Sequence, residues 1–191
     1  MTMWEFVCHD WKTLQGFETP RDVPLLLERL FGSSDEEEWQ GALGLLEAYA
    51  SDLGLPSEAT KDVVACLVAV AIRTEGRRRS AVLGTLEELT CGRGVEEYRP
   101  QQLTWLRAAV RELACALHTW AQLAESAPVE DAVLCVEILA YCAVHVPEVE
   151  LKVLRYLQLC ATERPELGEE VSALLANLNN VKRLLSERES A

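Results

Sequence analysis

The sequence predicts an all-α fold, a short right-handed α-solenoid of about nine helices stacked as hairpins, because three observations agree. Apolar residues recur at three- and four-residue steps in stretch after stretch, which gathers them on one helical face. The breaks between stretches are tight and rich in Gly and Pro, with no alternating strand pattern between them. Prolines at helix starts keep a period: Pro128 and Pro165 lie 37 residues apart, and Pro20 and Pro56 lie 36 apart. A period of that length holds one pair of helices with their turns. One domain is expected over 1–191, with an N-terminal cap helix at 3–15, repeats over 20–185 and a frayed tail at 186–191.

In the cap helix Trp4, Cys8, Trp11 and Gln15 share a line, with Val7 and Leu14 beside them. Thr19 to Asp22 opens the next helix: Thr19 caps, Pro20 takes the first position and Asp22 complements the positive end. Leu25, Leu26, Leu30 and Phe31 form its buried stripe, and Gly32 stops it. Ser34 with Glu37 predicts a capping box for a helix whose seam is Trp39, Leu43, Leu46, Ala50 and Leu53. Gly54 and Pro56 end that helix by offering a left-handed position and then a residue that cannot continue it. Val63, Val64, Leu67, Val68 and Ala71 give the next face, Gly76 breaks it, and Val82, Leu83, Leu86 and Leu89 give another. After the polar connector GRGVEEYRP, one helix is expected from Gln101 through Leu103, Leu106, Val110, Leu113, Leu117 and Trp120. The stretch Glu130–Val144 is apolar nearly all round and reads as an interior helix. Its only mid-helix charge, Glu137, is expected to pair with an arginine of an adjoining helix. Val171, Leu174, Leu178, Val181 and Leu185 mark the last helix.

A formal charge of −13 opposes binding to phosphate backbones, so nucleic acid is excluded as a partner. The same charge steers basic proteins toward the chain. Seven scattered cysteines, with no C-x-x-C pair, read as small core residues of a reducing compartment. The N-terminus MTMWEFVCHDWK lacks the pattern of a secretion signal. The longest apolar segment, Ala132–Val146, is too short for a membrane span. These features predict a cytoplasmic protein without membrane contact.

The helix-pair period resembles HEAT or armadillo-like repeats. More closely, the stretch from Asp22 to Gly94 is similar to bacterial HEAT-repeat proteins in four segments: Asp22-Val23-Pro24-Leu25-Leu26, Gly54 to Thr60, Val63 to Val68, and Arg79 to Leu86. Proteins of that kind occur among immunity proteins of polymorphic-toxin systems, so the resemblance implies a chain that binds and neutralises a cognate toxin. In HEAT units a corner aspartate is often followed by an arginine. Asp35 fits the aspartate, but Glu36, Glu37, Glu38 and Trp39 occupy the region of the arginine.

Catalysis needs a base, nucleophile or metal in convergent geometry, and nothing in this sequence supplies one. Cys8-His9-Asp10 cannot form a triad if helical, since neighbours point about 100° apart. No zinc-binding, phosphate-loop or nucleophile-elbow motif is present, so no catalytic, cofactor or metal residue is predicted and the chain is expected not to be an enzyme. A HEAT-like DNA glycosylase would need a basic concave face, the reverse of this charge. The candidate partner-binding residues are the acidic clusters and their aromatic neighbours: Asp35, Glu36, Glu37, Glu38, Trp39, Glu87, Glu88, Glu96, Glu97, Tyr98, Glu130 and Asp131. Singly each cluster reads as a solvated helix start; together they would line an edge of a solenoid. Arg73, Arg77, Arg78 and Arg79 read as partners for carboxylates of a neighbouring repeat. The expected function is protein binding, with a basic toxin domain as the implied partner; the alternative is a general scaffold or regulatory adaptor.

Overall fold

The computed structural model describes residues 9–11, 13–16, 22–91 and 98–189, with side chains described to residue 178 and at Lys182. Among these residues nine α-helices account for nearly all regular structure. They are α1 (Val23–Gly32), α2 (Glu36–Ala50), α3 (Thr60–Arg73), α4 (Gly76–Cys91), α5 (Pro100–Cys115), α6 (Leu117–Ser126), α7 (Val129–His145), α8 (Glu150–Glu163) and α9 (Gly168–Glu189). Single 3-10 turns at Pro147–Val149 and Pro165–Leu167 lead into α8 and α9, so Pro128, Pro147 and Pro165 all stand at helix entries.

The helix expected from Gln101 to Ala121 is broken. Ala116 leaves helical geometry, and the indole N–H of Trp120 donates to the Leu113 carbonyl at 2.8 Å. At the break this carbonyl thus accepts two donors, the Trp120 indole and the Ala116 N–H at 3.0 Å. With α5 and α6 taken as two arms of one bent helix, packing follows a simple order. Hairpins α1/α2, α3/α4, α5–α6/α7 and α8/α9 succeed one another; first helices touch first helices, and second helices touch second helices. The third hairpin's second helix, α7, lies at the centre against α4, α5, α6, α8 and α9. It buries Ala132, Cys135, Val136, Ile138, Leu139, Ala140, Cys142 and Ala143, as an all-round apolar helix must.

The caps differ from those read in the sequence, by three positions at α1 and by one at α2. Asp22 itself caps α1, accepting from the Leu25 N–H at 3.2 Å, and Thr19 and Pro20 lie outside the described residues. Asp35, not Ser34, caps α2 by accepting from the Glu37 N–H at 2.9 Å, because the Ser33 hydroxyl turns the chain by taking the Asp35 N–H at 3.0 Å. After α2 comes a feature with no forecast, a two-residue hairpin of β1 (Ser51–Asp52) and β2 (Leu55–Pro56). Its turn residues Leu53 and Gly54 have φ of 50° and 80°, the left-handed pair that such a turn needs. Buried Thr60 ties it down: its hydroxyl donates to the Ala50 carbonyl at 2.7 Å and accepts the Ser57 N–H at 2.8 Å.

At 9–11 and 13–16 the chain is turn and irregular, not the helix expected over 3–15; residues 1–8 lie outside the description. The Asp10 carbonyl closes a turn with both the N–H and hydroxyl of Thr13, each at 3.0 Å. This segment still covers the end of the core. Leu14 accepts the Tyr49 hydroxyl at 3.0 Å, Gln15 accepts the Ala59 N–H at 3.3 Å, and Gly16 lies so close to Tyr49 that a Cβ would overlap the ring.

Arginines join successive corners. Arg78, at the start of α4, donates to the Phe31 carbonyl at 2.7 Å and to the Ser33 carbonyl at the α1–α2 corner, with its guanidinium 5.3 Å above the Trp39 ring. Arg164, after α8, repeats the device on the α6–α7 corner through the Ala124 and Ala127 carbonyls at 3.0 and 2.8 Å. In both cases the arginine comes from the following hairpin.

Candidate functional site

The second helices of the hairpins carry the site. Glu47 near the end of α2, Glu87 and Glu88 on α4, Glu137 midway along α7 and Glu170 at the start of α9 form a chain of like charges. Glu47 feels Glu88, Glu88 adjoins Glu87, Glu87 reaches Glu137, and Glu137 reaches Glu170. All four hairpins contribute. Burial, reinforced by the neighbouring charge, raises the pKa of Glu47 and Glu87 and pushes Glu137 up to about 7. No ion pair among the described residues includes any of the five. Cations are engaged elsewhere: Lys61 with Glu112 at 3.7 Å, Lys182 with Glu150 at 2.5 Å and Arg77 with Glu36 at 3.4 Å. The arginine expected beside Glu137 is replaced by Glu87 and Glu170.

The sequence-predicted residues divide. Glu87 and Glu88 belong to this track. Asp35, Glu36, Glu37 and Glu38 sit at the other end of α2, about 16 Å from Glu47 at 1.5 Å per residue, and are occupied locally. Asp35 caps, Glu36 meets Arg77 and Gln40, and Glu38 takes the Ser33 hydroxyl at 2.6 Å and faces Arg29 at 3.5 Å. Trp39 and Tyr98 are 4% and 2% exposed, which makes them core residues, with the Tyr98 hydroxyl donating to the Gly54 carbonyl at 3.4 Å. Glu130 is exposed and Asp131 buried in the first turn of α7, where the helix end favours a carboxylate. Glu96 and Glu97 lie outside the described residues. Glu47 and Glu170 were missed because each stands outside the acidic runs that the sequence search singled out. Their sequence signal was position: a carboxylate on the second helix of a pair.

Other polar groups stay separate from this track. His9 pairs with Asp62 at 2.5 Å rather than with its sequence neighbours. Buried His145, whose ring nitrogens have no hydrogen-bond partner among the described residues, stacks on Tyr141 at 6.0 Å. Burial and the Arg107 charge lower its pKa to about 4. Cys66, Cys135, Cys142 and Cys160 are buried and in no disulfide; burial pushes Cys135 and Cys142 up to about 12, far from reactive thiolates. Among the described residues no three His, Cys, Asp or Glu side chains are placed to hold a metal, and no single helix is long and apolar enough to cross a membrane.

The chain matches no protein-family model, and no curated protein is significantly similar to it.

Proposed function

We propose that this chain is a protein-binding α-solenoid that captures a basic protein through the carboxylate track on its second helices, acting as an immunity protein toward a cognate toxin. One observation carries the reading: five carboxylates from all four hairpins lie within electrostatic reach of one another in succession, and no ion pair among the described residues includes any of them. Such a cluster weakens the fold, since burial and mutual repulsion both oppose the charged state. A cationic partner relieves that repulsion on binding. For a basic nuclease toxin, carboxylates on this spacing would stand in for the phosphates of its substrate and cover its active surface. The succession of hairpins, first helix on first and second on second, supports the HEAT-like solenoid on which the track would lie.

The test is recovery of the partner by affinity capture from cells carrying the neighbouring genes, followed by calorimetric titration of the purified pair. Dissociation constants should rise about tenfold or more from 0.05 to 0.5 M salt. Affinity should also strengthen from pH 6 to pH 8, because Glu137 must lose its proton near pH 7 to meet a cation. An ordinary exposed acidic patch, already ionised at pH 6, gives no such rise. Salt-insensitive binding removes the electrostatic mechanism. A partner encoded far from this gene, with no toxic activity, replaces the immunity role by that of an adaptor.

A further inference from the structure

We infer that the outer face of α2, together with the hairpin tip that follows it, is the seat for a basic amphipathic helix of the partner protein; this rests on the reading above and locates its apolar contact. Trp39, Ala42, Leu43, Leu46, Tyr49 and Ala50 turn into the core. The opposite face runs from Glu37 through Gly41, Gly44 and Leu45 to Ala48; after that first-turn glutamate it carries no charge, and Leu45 is 51% exposed. From Gly41 onward α2 is without charge on both faces, as suits a helix between two bodies, and the described residues supply only one. Leu53, 77% exposed at the hairpin tip, extends the apolar strip.

The glycines give the second argument. Gly41 and Gly44 in α2, and Gly84 one turn before Glu88 in α4, lie in helices where glycine is less favourable than alanine. None has the positive φ that would require glycine, and a Cβ at any of them would meet nothing within 4 Å. The fold itself therefore has no use for their missing side chains. A partner's backbone, approaching closely, does.

Charge identifies the occupant. A cleft of about 540 Å³ beside this face is lined by Gly44, Glu47, Ala48, Asp52, Leu53 and Glu88. Small and apolar residues beside three carboxylates match a helix with leucines on one side and lysines or arginines at its edges. From Gly41 to Ala50 the helical part of the strip runs about 14 Å, between two and three turns of such a helix, before the hairpin tip begins.

Two synthetic peptides of equal length test it, one patterned with Leu and Lys and one with Leu and Glu, titrated into the 15N-labelled protein. The Lys peptide should bind saturably, with amide shifts concentrated at Gly41, Gly44, Ala48, Leu53 and Gly54, and the Glu peptide should not bind. Gly44→Leu should weaken the Lys peptide about tenfold or more while leaving Tm unchanged or higher. Gly44→Ala, the safer variant for folding, should raise Tm by about 2 °C and still weaken binding. Equal affinity after both substitutions, shifts on another face, or no binding of the Lys peptide overturns the seat. Concentration-dependent dimerisation that shifts the same amides also overturns it, by making a second copy the occupant. The salt and pH dependence of the purified pair is read separately, so the acidic track stands or falls on its own result.

Discussion

Two acidic regions of this molecule look alike in sequence and behave as opposites in the fold. At the α1–α2 corner, Asp35 to Glu38 are capped, bonded and paired, and Arg78 and Arg77 close over them from the next hairpin. Along the second helices, Glu47, Glu87, Glu88, Glu137 and Glu170 meet only each other among the described carboxylate contacts. A run of acids at a helix start is stabilised by the end of that helix and by whatever arginine the corner recruits. Acids carried one or two to a helix, all but Glu170 away from a helix start, have no such local remedy once stacking brings them together. Charge density in the sequence therefore points to the quieter region.

Arg78→Ala should break the corner and gives the largest expected effect. It removes two part-buried carbonyl bonds and a cation contact with Trp39, a loss of about 3 kcal/mol. Urea unfolding should show it as a lower midpoint at unchanged slope. Partner affinity should be unaffected, because Arg78 is remote from the track. A stability change below about 0.5 kcal/mol would mean that the corner holds without its arginine.

His145 supplies a comparison of opposite sign to the carboxylates. Its pKa falls to about 4 from 6.5, so the folded state binds fewer protons than the unfolded state between those values. Stability is then present above pH 6.5 and lost as pH falls toward 4. His145→Phe should flatten that loss, by on the order of 2 kcal/mol near pH 4. Denaturation curves of both proteins at pH 7 and pH 4.5 measure it; parallel losses would show that acid acts elsewhere.

Glu137 runs the other way. Its pKa rises from 4.5 to about 7, so the folded state holds the proton longer and stability falls as pH climbs through that window. Glu137→Gln should therefore gain stability relative to the natural chain at pH 8 but not at pH 4.5. Half-burial and solvent screening limit the gain to roughly 1 kcal/mol. The same substitution should weaken the basic partner, an inverse relation between stability and binding that a purely structural carboxylate would not give.

Most of the fold was legible because helix faces and breaks are local. The seam from Trp39 to Ala50, the interior character of α7 and the proline entries follow from spacing within one segment. The break at Ala116 was hidden because it depends on the Trp120 indole reaching back to Leu113, and the apolar period continues through it. The α2 cap was off by one residue since Ser33, Ser34 and Asp35 are all competent, and tertiary contacts choose among them. Two of the five track carboxylates were legible, as Glu87 and Glu88. Glu137 was visible as an anomaly, yet its neighbours are fixed by how α7 sits between α4 and α9, which no single-helix pattern records.

The smallest effect decides between the two regions. Glu36, Glu37 and Glu38 changed together to Gln remove three charges from exposed positions, one of them the Glu36–Arg77 pair, whose arginine is 86% exposed. Exposed pairs contribute little, and Asp35 keeps its cap, so the stability loss should stay below about 1 kcal/mol. Partner affinity should change by less than about twofold, whereas the same three-charge removal at Glu47, Glu87 and Glu88 should weaken it at least about tenfold. Calorimetric titration of the two triple variants at one salt concentration makes the comparison directly. If the corner variant loses the affinity and the track variant keeps it, the binding surface lies at the helix starts, and the unpaired carboxylates are a cost that the fold carries for some other reason.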